Sequence, residues 1–186
     1  MPLILASASP RRQELLRNAG IGFTVKSADV PERRRARESP LAFARRLARE
    51  KAAAVFARHP QDFVLGADTI VVVGGEILEK PRNAADARRM LRRLSGRSHR
   101  VITAVCLLGP DVEDVRARTT RVTFARLSAA EIRDYVATGE PLDKAGAYAI
   151  QGLASRWATR IEGCYFNVVG LPVPMVYAML RRHGVV

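Results

Sequence analysis

Cysteine, histidine, lysine and aromatic residues are all scarce in this chain, and each scarcity removes a class of explanation. Two cysteines, Cys106 and Cys164, are too few for a disulfide scaffold and match no zinc or redox spacing. Three histidines, His59, His99 and His183, stand apart without metal-ligand or triad spacing, and His99 beside a strand reads as structural. No Walker A loop, nucleophile elbow, HExxH pair or dinucleotide fingerprint occurs. No run of about eighteen apolar residues exists, so no membrane-spanning helix is expected. The opening Met-Pro-Leu-Ile-Leu-Ala-Ser lacks a basic leader and reads as a first strand, which makes a reducing cytoplasm the expected location. Aromatics make up 6% and are not interleaved with the arginine clusters. That disfavours a stacking groove for nucleic acid, so no stable nucleic-acid or membrane partner is expected.

What is abundant is apolar residue and arginine. At 186 residues and 48% hydrophobic content, the chain can bury a full core and fits one domain. The net charge of +13 attracts polyanions, including phosphorylated small molecules. Only four of the 31 cations are lysine, and the accompanying excess of alanine suggests codon bias as much as a selected basic face. Lys51, Lys80 and Lys144 nevertheless fall in segments singled out below on other grounds.

Leu3 to Ala6 reads as a buried strand, Ser7 to Pro10 as a turn, and Arg11 to Ala19 as a helix stopped by Gly20. Ile21 to Ser27 reads as a short strand and Pro31 to Glu38 as a mobile, charged surface loop. Ser39-Pro40 starts a helix running to about Arg58. Strands are expected at Phe63 to Ala67 and Ile70 to Val73, with a hairpin at Gly74-Gly75. Asn83 caps a helix to Leu94. His99 to Leu108 and Val115 to Leu127 form a second hairpin, and Ser128 to Glu131 is a capping box for a helix to Thr138. Ala145 to Gln151 and Arg160 to Val169 read as strand and loop, and Pro172 to His183 as a final helix. Alternating strands and helices interrupted by hairpins give an α/β fold with a mixed, twisted sheet flanked by helices.

Five constellations can carry chemistry. Ser7 to Arg12 joins a buried strand to a helix start, where free N–H groups, two hydroxyls and two guanidiniums favour phosphate. Helix capping by Ser9 with Pro10 at the first position, and a solvated arginine face, explain the same residues. Asp68 in Gly66-Ala67-Asp68-Thr69 is either a turn residue or a strand-end carboxylate that binds a divalent cation or activates water. Lys80 in Glu79-Lys80-Pro81 is held extended by the proline and is either a phosphate contact or an ordinary exposed lysine. Lys51 flanks the apolar face of its helix and either snorkels to solvent or points between helix and sheet. In Asp143 to Gly152 the small residues admit a close-packed backbone or a flat ligand, and the Gln151 amide can read a base edge.

Taken together these segments resemble the Maf family of nucleotide pyrophosphatases, in order and over nearly the whole chain. The matching motifs are Leu5 to Leu16, Arg46 to Ala52, Leu65 to Val71, Glu79 to Pro81, Leu94 to Gly96 with His99 to Val105, Asp143 to Gly152 and Val168 to Pro172. The resemblance implies a single Maf-type domain over residues 1–186, with a fold like the inosine triphosphatases (Maf/HAM) and a cleft between two lobes. It implies hydrolysis of a nucleoside triphosphate to a monophosphate and pyrophosphate with Mg²⁺ or Mn²⁺. It casts Asp68 as the catalytic general base and, with Glu32, as a metal carboxylate. It places Ser7, Arg11, Arg12, Glu32, Lys51 and Lys80 against substrate phosphates and metal. Arg11, Thr69 and Gln151 match the discriminating positions of the branch acting on dTTP and UTP, and modified pyrimidine triphosphates fall within its range. The sequence departs from the family pattern at Pro31, where a second acidic residue is common, and at Glu79, where glycine is frequent. A 7-methylguanosine triphosphatase, and a nucleotide- or nucleic-acid-binding regulator of septum formation, are the rival readings. A homodimer is a family-level expectation.

Overall fold

The computed structural model describes residues 2–27 and 29–186. Strands β1 (Leu3–Leu5), β2 (Thr24–Val25), β3 (Phe63–Val73), β4 (Glu76–Leu78), β5 (Ser98–Gly109), β6 (Val112–Phe124) and β7 (Ala158–Glu162) alternate with helices. The helices are α1 (Pro10–Asn18), α2 (Pro40–Phe56), α3 (Ala84–Leu94), α4 (Ala129–Ala137), α5 (Tyr165–Val169) and α6 (Val173–Arg182). The strands form one mixed sheet in the order β2-β1-β3-β5-β6-β7, with β4 paired to β3. No helix among the described residues is long and apolar enough to cross a membrane.

The chain folds as two compact units, and it passes from one to the other inside β3, β5 and β6. The first comprises residues up to 69, 103–118 and 170–186. Its β1 runs parallel to both β2 and β3, with Leu5 opposite Val25 on one side and Leu65 on the other. Leu5, Leu16, Phe43, Leu47, Val64, Leu65, Leu107, Leu171 and Val176 are buried here, each worth roughly 1.5–3 kcal/mol on removal from water. The start of α2 follows its sequence, since Ser39 accepts a bond from the Ala42 N–H and Pro40 occupies the first turn. Helix α1 differs: Pro10 is in the first turn, but the Ser9 side chain makes no capping bond.

The second unit comprises residues 70–102 and 119–169. The hairpin expected at Gly74-Gly75 joins β3 to β4, with Val72 opposite Ile77. Asn83 caps α3 through the Asp86 N–H, and Ser128 with Glu131 forms the expected capping box on α4. Much of the chain's small aromatic content collects here. Phe124 and Tyr148 meet edge to face at 4.8 Å, and Tyr135 and Trp157 at 5.0 Å.

Several stretches differ from the sequence expectation. Strand β3 runs unbroken from Phe63 to Val73, so Asp68 lies inside a strand and is neither a turn residue nor at a strand end, and the strand expected over 21–27 is only Thr24–Val25. Residues 140–157 form three short 3-10 turns (Glu140–Asp143, Ala145–Ala147, Leu153–Trp157) rather than strand. The left-handed Gly146, at φ 71°, interrupts any extended run there. The end of the 160–169 segment is helix α5, although Val168-Val169 favours a strand. Here tertiary bonds override local preference. Asn167 donates to the Val101 carbonyl and to Thr120 Oγ1, and the Cys164 N–H donates to the same threonine oxygen.

Two stability predictions follow from these contacts. A Cβ added to Gly66 would strike the Ala48 carbonyl and lie 2.7 Å from the Ala52 nitrogen, both backbone atoms of α2. Gly66→Ala therefore lowers unfolding free energy by about 2–3 kcal/mol in urea titration; wild-type stability would contradict this packing. His99 is only 2% exposed, and burial depresses its pKa to about 4. The unfolded chain then takes up a proton near pH 6.5 that the folded chain refuses, so stability falls as pH drops from 7 to 5. The loss from this group is roughly 2 kcal/mol. His99→Gln flattens that dependence, and an unchanged pH slope would refute the assignment.

Candidate active site

Strand geometry sets the site. In β3, Gly66 and Asp68 lie two residues apart and so face the same side of the sheet. Where Gly66 has no side chain, the backbone of α2 at Ala48 and Ala52 rests directly on the strand. Lys51 lies on that same helix surface, three residues after Ala48. Of its two sequence readings, the structure takes the second. Lys51 Nζ points inward and donates to Asp68 Oδ1 at 2.7 Å.

The same ammonium lies 2.6 Å from Glu32 Oε1, so one cation holds two carboxylates at one point. Asp68 is buried and Lys51 nearly so, whereas Glu32 keeps much of its side chain in solvent. Burial raises the Asp68 pKa, and the charges and hydrogen bond of Lys51, with the charge of Arg12, pull against it.

The loop carrying Glu32 has no regular secondary structure, as expected, but it is tied to α2. Arg46 grips the Glu38 carboxylate through Nε at 2.7 Å and Nη2 at 2.8 Å, and Nη2 also donates to the Arg33 carbonyl. That pairing holds the Glu38 carboxyl down at about 2.

Behind Asp68, Arg12 of α1 reaches across to β3. Its Nη1 donates to the Ala67 carbonyl at 2.9 Å and to Ser7 Oγ at 3.1 Å, and its Nη2 donates to Thr69 Oγ1 at 3.1 Å. Its Nε donates to the Gly170 carbonyl at 2.9 Å. Arg12 thus grips the backbone immediately before Asp68 and the side chain immediately after it, leaving one N–H for anything else. Ser7 Oγ also accepts from the Ser9 N–H at 3.3 Å, which closes the turn into α1.

Of the residues singled out in the sequence, Ser7, Arg12, Glu32, Lys51, Asp68 and Thr69 are joined in the first unit by these bonds. Arg11 stands beside Arg12 in the first turn of α1, half exposed. Lys80 and Gln151 belong to the second unit and are both exposed. There the Gly146 N–H donates to the Glu79 carbonyl at 3.2 Å, which stitches the segment before Lys80 to the one leading to Gln151. Glu79 and Pro31, the two departures, are both exposed. Thr103 stands outside the residues singled out in the sequence, and its buried hydroxyl lies 3.0 Å from Thr69 Oγ1. A hydroxyl inside the apolar run Val101 to Leu108 was the available signal.

The fold and the motifs agree with those of known proteins. Residues 2–183 match the profile of the family described as Maf-like protein. A dTTP/UTP pyrophosphatase of Koribacter versatilis (strain Ellin345) is 63% identical over 185 residues, covering 100% of this chain and 96% of that protein. A dTTP/UTP pyrophosphatase of Salmonella typhimurium is 54% identical over 181 residues, covering 97% and 92%. The structure of the Staphylococcus aureus Ham1 protein covers 98% of this chain and 100% of its own, with a TM-score of 0.54 at 15% identity, which is a likeness of fold. This chain belongs to the Maf-like protein family.

Proposed function

We propose that this protein hydrolyses UTP and dTTP between the α and β phosphates, releasing the nucleoside monophosphate and pyrophosphate. The observation that carries the proposal is the single ammonium of Lys51 bridging the buried Asp68 and the half-exposed Glu32. The names of the closely similar relatives support the substrate class.

Hydrolysis of a phosphoanhydride needs positioning and charge neutralisation more than covalent help. Asp68, with Oδ1 bonded to Lys51, uses its second oxygen to orient water and take its proton. Lys51 holds the two carboxylates together before substrate arrives and offers its charge to phosphate oxygens afterwards. Ser7 and Arg11 line the same turn, and Arg12 adds positive charge while fixing the backbone around Asp68.

The carboxylates suit Mg²⁺ or Mn²⁺. Both are hard oxygen donors that already converge on one cation. Among the described residues no group of three or more histidine, cysteine or acidic side chains is placed to hold a metal ion. A Mg²⁺ site of one or two carboxylates is typically completed by substrate phosphates and water. When bound, such an ion supplies charge neutralisation and Lewis acidity at the phosphates.

UTP and dTTP differ in the 5-methyl and the 2′-hydroxyl and share the base edge. An enzyme that accepts both reads that edge, and the Gln151 amide offers the donor and acceptor it requires. A cytoplasmic location fits this substrate class.

With Mn²⁺ present, UTP and dTTP yield UMP or dTMP plus pyrophosphate by ³¹P NMR. Orthophosphate with a diphosphate would overturn the bond assignment, and a preference for 7-methylguanosine triphosphate would overturn the pyrimidine assignment. Asp68→Asn lowers kcat by about 100-fold or more without loss of folding; retained turnover would remove Asp68 as the base. Excess chelator abolishes activity and added Mn²⁺ restores it, whereas full turnover in chelator would rule out the metal.

A further inference from the structure

Gln151 is exposed, yet the backbone on both sides of it is fixed by two residues, Tyr135 and Glu140. The Ala149 N–H donates to Tyr135 Oη at 3.2 Å, and that phenol donates to Glu140 Oε1 at 2.8 Å. The other carboxylate oxygen, Glu140 Oε2, accepts from the Leu153 N–H at 3.4 Å. Between these anchors the Gly152 N–H donates to the Ala149 carbonyl at 3.1 Å, closing a turn around Gln151.

Packing reinforces the bonds. A Cβ at position 152 would lie 2.6 Å from Glu140 Cδ and 2.7 Å from Oε2, so the carboxylate rests against the backbone next to Gln151. Glu140 is itself held, because Lys144 Nζ donates to its carbonyl at 2.7 Å. Tyr135 is 1% exposed and packs edge-on against Trp157 at 5.0 Å. Trp157 Nε1 in turn donates to Glu131 of the α4 capping box at 3.3 Å. Burial keeps the Tyr135 hydroxyl protonated as a donor.

A carboxamide distinguishes uracil from cytosine only while its oxygen and nitrogen keep their places. Cytosine presents the opposite order of donor and acceptor. Without these anchors the backbone that carries Gln151 could shift and take its amide out of register with the base edge. We infer that Tyr135 and Glu140 are specificity-determining positioning residues, which hold Gln151 where it matches the uracil or thymine edge. The inference rests on the reading of the protein as a UTP and dTTP pyrophosphatase in which Gln151 meets the base.

The test is the ratio of kcat/KM for UTP to that for CTP in wild type, Tyr135→Phe, Glu140→Gln and each change combined with Gln151→Ala, with a thermal melt of every variant. Tyr135→Phe removes one oxygen and Glu140→Gln preserves shape and one acceptor oxygen, so either serves if the other fails to fold. The ratio falls about 10-fold or more in each single variant, carried by a rise in KM for UTP, because misplacing one recognition group by about 1 Å costs up to about 100-fold. In the Gln151→Ala background neither change lowers the ratio further. A folded variant with the wild-type ratio, or an equal loss with and without Gln151, would overturn the inference. A wild-type protein that fails to prefer UTP overturns the functional reading itself, so the two failures are distinct.

Discussion

The close approach of α2 to β3 at Gly66 is the constraint on which the site depends. A strand surface normally keeps a helix at side-chain distance. Here the missing Cβ lets the backbone at Ala48 and Ala52 settle onto the strand itself. Two consequences follow from simple periodicity. Asp68 shares the face of Gly66 and so points at the helix, and Lys51 shares the surface of Ala48 and Ala52 and so points at the strand. Backbone contact between helix and strand thus brings the Lys51 ammonium and the Asp68 carboxylate within reach of one another.

That geometry makes a buried carboxylate tolerable. Desolvation penalises the Asp68 anion, while Lys51 and Arg12 oppose the penalty. Removing Lys51 would take away the cation bonded to the buried carboxylate, and breaking such a pair typically costs more than the pair contributes. Arg12 shows the same economy. Its hydrogen bonds to Ala67, Thr69, Ser7 and Gly170 spread one charge over several backbone and hydroxyl dipoles. Glu32 reaches Lys51 from a loop without secondary structure, and that loop is held by the Arg46–Glu38 pair. Much of the chain's arginine content serves such local ties, including Arg89 and Arg93 on Glu76 and Arg49 on Glu113.

Local signals made most of the fold legible in the sequence. Ser39-Pro40, Asn83 and Ser128 to Glu131 start helices in the structure, and Gly74-Gly75 turns a hairpin. Two of the stretches that differed are governed by distant partners. Helix α5 depends on Asn167 bonding to Val101 and Thr120, and the turns of 140–157 depend on Gly146 and on the Tyr135–Glu140 pair. The site followed the same division. Asp68, Lys51, Ser7 and Arg12 stand in segments whose residue types hinted at anion chemistry. The internal engagement of Arg12 and the part played by Thr103 appear only when β3, β5 and α1 are brought together. The choice for Lys51 between solvent and sheet turned on helix depth, which a sequence does not state but which Gly66 encodes.

The central claim is that the Asp68–Lys51–Glu32 cluster is where the phosphoanhydride is cleaved. Its most direct test is a crystal structure with Mn²⁺ and a UTP analogue whose α–β bridging oxygen is replaced by NH. An anomalous manganese peak against Asp68 and Glu32, with the α-phosphate beside it, is the predicted result. A manganese site and α-phosphate remote from both carboxylates would contradict the account.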